Sequence, residues 1–63
     1  MTLRLQKSEN LNDYVDINIA FGYLTMNGND GKYPCVRFVR DIDSTRYEEI
    51  KIEDYYLIHL FDD

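Results

Sequence analysis

The sequence predicts an α+β fold, a three-stranded antiparallel sheet carrying one short helix, in a single small domain of residues 1–63. Three observations predict it. Tyr14 to Met26 alternates with the period of a strand. Asn27-Gly28-Asn29-Asp30-Gly31 follows, rich in the residues that tight hairpins need. Thr45 and Glu48 then stand three apart, the spacing of a helix capping box.

Taken in order, residues 1–11 alternate weakly through Leu3 and Leu5 before turning polar, and read as an N-terminal arm or a short edge strand. In Tyr14–Met26, Val15, Ile17, Ile19, Phe21 and Tyr23 share one parity, so these odd positions are expected to face the core. Gly22 marks a bulge or a close contact on the outer face. After the turn, Lys32–Arg40 returns as a second strand. Pro34 lacks a backbone donor and belongs at the strand start or on an unpaired edge. Val36 and Phe38 share one face and Cys35 and Val39 the other, as in a strand covered on both sides.

The last third admits two orders. In ββαβ, a helix capped at Asp43-Ser44-Thr45 runs to about Lys51, and Asp54–Phe61 is the third strand. In βββα, Arg46–Ile52 is a strand hairpinned to the second, and Glu53–Phe61 is a terminal helix. Short apolar runs do not separate these by periodicity.

A chain of 63 residues buries a small core, worth about 3–5 kcal/mol, and usually needs a staple. Cys35 is the only cysteine and His59 the only histidine, which excludes an internal disulfide and a structural zinc site. Oligomerisation remains, so a homodimer is expected. No run of eighteen apolar residues and no signal-type apolar region are present, which gives cytoplasmic localisation and no membrane partner as expectations.

Charge is unevenly placed. Asp41–Asp63 holds eight of the twelve carboxylates against Arg46 and Lys51, whereas residues 1–40 carry five basic and four acidic groups. The net charge of −5 disfavours direct nucleic-acid binding, which needs clustered Lys and Arg. Nor does the sequence carry a phosphate loop, paired-histidine metal spacing or nucleophile elbow, so no cofactor, metal or catalytic residue is expected. His59 reads as a sheet-face residue and Cys35 as a small buried one. The carboxylates Asp41, Asp43, Glu48, Glu49, Glu53, Asp54, Asp62 and Asp63 serve solubility when taken singly. Together they make a one-sign field able to steer the chain onto a basic groove, with the neighbouring tyrosines as desolvated anchors.

The order Asn12-Asp13-Tyr14-Val15-Asp16, Asp30-Gly31-Lys32, an aromatic second strand and the pair Tyr47-Glu48 resembles the small uracil-DNA glycosylase inhibitor encoded by some Bacillus podophages. The resemblance covers residues 12–63 with small gaps. It implies the ββαβ order, a homodimer, and mimicry of DNA at the glycosylase groove. Tyr47 would match the first helix aromatic and Glu48 the acid beside it. Lys51 stands where the second aromatic would fall, with Ile50 or a later tyrosine in its place. The expected function is therefore a non-enzymatic DNA-mimic inhibitor of a host enzyme, with Tyr47, Glu48, Glu49, Ile50, Lys51, Asp43, Glu53 and Asp54 as partner-binding residues. An anti-CRISPR or anti-restriction protein and a dimeric adaptor module are the alternatives.

Overall fold

The structure, a computed structural model, describes residues 1–62; Asp63 lies outside the described residues. Six strands run in chain order: β1 (Thr2–Gln6), β2 (Tyr14–Asn18), β3 (Phe21–Gly28), β4 (Gly31–Val39), β5 (Glu48–Lys51) and β6 (Leu57–Phe61). One 3-10 turn, Ile52–Asp54, joins the last two. They form two three-stranded antiparallel sheets, ordered β2-β1-β6 and β3-β4-β5. Among the described residues there is no α-helix, so the expected α+β class is corrected to all-β.

The helix fails because a better partner takes its residues. Glu48 does not close a capping box with Thr45; its carboxylate is held by Arg40, at 2.7 and 3.1 Å. Ile50 lies opposite Val36, and Glu49 lies opposite Arg37. Such cross-strand apolar and opposite-charge pairs stabilise a strand more than one short helical turn can stabilise itself. Both expected orders are corrected: β5 and β6 are strands, and no α-helix stands at residues 43–51 or 53–61.

The N-terminal segment is a second correction. β1 is the central strand of the first sheet, neither arm nor edge, and Leu3 and Leu5 are buried in the core. Two apolar positions are too few to announce a central strand, yet they supply much of the interior. Ile19, Val36 and Phe38 complete the buried cluster, with Ile17, Ile50, Tyr55, Ile58 and Leu60 packed around it.

β2 and β3 are the two halves of one bent strand. At the bend, the Ile19 amide donates to the Met1 carbonyl and the Ala20 amide to the Val39 carbonyl, both at 2.9 Å, so the chain leaves one sheet and enters the other. Parity changes there. Ile19 is buried, but Phe21 and Tyr23, expected inside, face outward, and Gly22 faces in. A Cβ on Gly22 would lie 3.0 Å from Ile19 Cδ1 and 3.1 Å from Phe38 Cβ. The missing side chain lets the sheets approach, on the inner face and not the outer one. The bulge comes later, between Thr25 and Asn27. Pro34 lies opposite it, just outside the stretch of β4 that pairs with β5, where its missing donor costs no ladder bond. β4 is covered on both sides, with Cys35, Val36, Phe38 and Val39 all buried.

Candidate functional site

The outer face of the second sheet is built rung by rung. Tyr23 on β3 lies opposite Arg37 on β4, and Arg37 opposite Glu49 on β5. One rung along, Thr25, Cys35 and Lys51 stand in the same relation. At the other end Phe21 is opposite Val39. Tyr47, immediately before β5, leans onto this face: its ring meets Tyr23 edge-on at 5.7 Å, and Phe21 lies 6.0 Å from Tyr23. The Arg37 guanidinium sits 5.8 Å over the Tyr47 ring. Phe21, Tyr23 and Tyr47 are 52 %, 38 % and 40 % exposed, an aromatic row that the core does not use.

From the same end springs the β4–β5 loop, Arg40 to Tyr47. Its tip places Ile42 between Asp41 and Asp43, and Ile42 is 88 % exposed. Isolated exposed apolar residues are common. This one lies between two carboxylates, in the loop that leaves the sheet where Phe21 and Val39 pair.

Next to the row lies a polar cluster centred on Glu49. The Tyr33 hydroxyl donates to its Oε2 at 2.5 Å, the Asn29 amide to its Oε1 at 2.8 Å, and the Cys35 thiol to Oε1 at 3.8 Å. Arg37 Nη1 stands 3.6 Å from Oε1 and donates to Asn29 Oδ1 at 2.8 Å. Tyr33 folds over Gly28, where any Cβ would collide with its ring. The Tyr33 hydrogen bond, aided by the Asn29 amide and Arg37, holds the Glu49 carboxyl below its ordinary range against the opposing effect of burial. Burial, and then Glu49, push the Cys35 thiol up, so at neutral pH it is a protonated core residue and not a nucleophile.

A depressed folded-state pKa means that Glu49 contributes stability fully present above its unfolded value, near 4.5. That contribution is lost as pH falls through the lower folded value. Glu49→Gln is expected to lower the denaturation midpoint at neutral pH, with the gap to wild type closing as pH falls through 4.5 and below. A gap that stays constant over that range would contradict the assignment.

The expected partner-binding residues do not form one site. Tyr47, Glu49 and Lys51 share the outer face, but Glu49 is consumed by its cluster, and Lys51 Nζ sits 4.8 Å over the Tyr33 ring. Ile50 points into the core. Glu48 is on the other face, paired with Arg40. Asp43 lies at one end of β5, and Glu53 and Asp54 lie in the 3-10 turn at the other. The four residues of β5 separate them by roughly 13 Å of chain. Sequence reasoning missed Phe21, Tyr23, Arg37 and Ile42. The opposite charges of Arg37 and Glu49 were the available signal, once β5 was aligned with β4.

The first sheet has its own outer face. Arg4 is forked onto Asp16 at 2.8 and 2.9 Å and lies against Tyr14 and Phe61, with His59 stacked on Phe61 at 5.7 Å. The Arg4 charge is matched by Asp16, and the open depression beside the pair is lined by Thr2, Arg4, Asp16, Phe61 and Asp62. Among the described residues no three His, Cys, Asp or Glu side chains gather as metal ligands, and no helix is long and apolar enough to cross a membrane. Compared with models of known protein families, curated proteins and solved structures, the chain matches none.

Proposed function

We propose that this chain is a non-enzymatic acidic inhibitor that seats on the basic DNA-binding groove of another enzyme. One observation carries the reading: the half-exposed row Phe21–Tyr23–Tyr47 shares an end of the second sheet with the projecting Asp41-Ile42-Asp43 tip. Aromatic groups and an exposed isoleucine supply contacts that become desolvated on docking, and flanking carboxylates steer them towards a positive surface. The carboxylates at the β5 pairings, Glu48 and Glu49, are excluded from this role by their internal partners. Tyr47 acts here from the entry to a strand and not from a helix.

Uracil-DNA glycosylase is the first target to test, by uracil excision with the purified protein at near-stoichiometric ratio. Suppressed excision at low salt supports that target, and undiminished excision removes it. CRISPR effectors and restriction enzymes present the same groove chemistry and follow in the same assay format. Ile42→Ala is expected to leave folding unchanged, because Ile42 touches no core residue, while weakening inhibition by about 1 kcal/mol or more. Inhibition equal to wild type would remove Ile42 from the site. A second reading, a dimeric adaptor module, draws on the uncharged strand β3 at the edge of the second sheet. It expects binding that is insensitive to salt between about 0.05 and 0.2 M, where a charge-steered inhibitor weakens.

A further inference from the structure

Every open-edged sheet leaves unpaired backbone N–H and C=O groups, and edge strands ordinarily carry charges or proline that discourage further pairing. The second sheet ends on β5 and β3. β5, Glu48–Lys51, has three charged residues in four. β3, Phe21–Gly28, has none, and no charged residue occurs anywhere from Ile17 to Asn29, although charged residues make up 30 % of the chain. β3 has no proline either, and its one protective device, the bulge between Thr25 and Asn27, lies towards its far end. Leu24 pairs with Val36 on the inner face but projects past the core, 63 % exposed, and Met26 is 58 % exposed.

We infer that β3 is a homodimer interface, in which the Phe21–Thr25 edges of two copies pair antiparallel about a twofold axis. The occupant is argued from charge and size. Each copy carries −5, so self-association is tolerated best where neither copy presents a charge, and β3 is the longest such strand. A small core with no disulfide also gains most from a second copy. β6, Leu57–Phe61, is the competing edge. Its uncharged run is shorter, bounded by Asp54 and Asp62, and its large residues are better covered, with Leu57 at 44 % and Phe61 at 38 %.

The consequence is one six-stranded sheet, β5-β4-β3 joined to its symmetry mate. Antiparallel pairing of identical strands puts the twofold axis perpendicular to the sheet. Both aromatic rows then lie on the same side, and both Leu24 side chains meet on the opposite one. The dimer does not depend on what the aromatic face binds, so failure of every inhibition assay leaves it standing.

Sedimentation equilibrium of the full chain tests it. Wild type is expected at the mass of two chains at about 100 µM. Leu24→Lys is expected at the mass of one chain with an unchanged circular-dichroism spectrum, and Leu57→Lys at the mass of two. Wild type at one-chain mass throughout, or a Leu24→Lys protein that stays dimeric, overturns the proposal. If Leu24→Lys loses its fold, amide exchange in wild type decides: the Phe21–Thr25 amides gain protection as concentration rises, and identical exchange at low and high concentration overturns the interface.

Discussion

Phe38→Ala is expected to unfold the chain. Phe38 is buried on the inner face of β4, between Gly22 and Glu48 in register and against the Leu3–Leu5–Ile19–Val36 cluster. Truncating a buried phenylalanine costs about 3–5 kcal/mol, through lost transfer energy and the cavity left behind. That matches the whole of what a core this small supplies, about 3–5 kcal/mol. The packing around Gly22 makes collapse into the cavity difficult, since Gly22 has no side chain to move inward and the backbone of β3 already stands close. Leu11→Ala, in a turn outside the strands and 77 % exposed, is the control and is expected within about 0.5 kcal/mol of wild type. Circular dichroism and one-dimensional proton spectra distinguish the two. A folded Phe38→Ala chain with a midpoint near wild type would show that stability resides outside this cluster.

Tyr47→Ala should cost the protein its inhibition while leaving its fold intact. Tyr47 lies outside the strands, half-exposed, and its ring meets Tyr23 and Arg37 on the sheet surface. Truncating a central aromatic anchor typically removes about 2–4 kcal/mol of binding, roughly 30-fold or more. Asp41→Asn and Asp43→Asn, both exposed, should each cost less than about 1 kcal/mol, because rim charges remain solvated. An Asp41→Asn loss larger than the Tyr47→Ala loss would invert the proposed division between anchor and steering field.

Much of β4 was legible in the sequence. Its two-sided burial follows from Cys35, Val36, Phe38 and Val39, and Pro34 found the unpaired place that its chemistry requires. The Asn-Gly and Asp-Gly pairs likewise marked the β3–β4 hairpin. The long Tyr14–Met26 alternation misled because period two says only that neighbours face opposite ways. It does not say which parity faces the core after a strand bends from one sheet into another. Phe21 and Tyr23 were therefore read as interior and became the centre of the candidate site. The helix was misread for a different reason. Thr45 and Glu48 satisfy a local capping rule, but Arg40 and Arg37, distant enough in sequence to escape local rules, claim Glu48 and Glu49. The acidic segment does not gather in one place: residues 41–47 lead into β5, while Glu53 and Asp54 lie in the 3-10 turn at its opposite end.

Displacement of labelled DNA from basic-groove enzymes, read by fluorescence anisotropy, tests the central claim most directly. The panel is a uracil-DNA glycosylase, a CRISPR effector nuclease and a restriction enzyme, each challenged with wild type and with Tyr47→Ala at about 0.05 M salt. Wild type is expected to release DNA from at least one of them at near-stoichiometric ratio, and Tyr47→Ala to require roughly 30-fold more protein. DNA retained by all three, or released equally well by Tyr47→Ala, would contradict it.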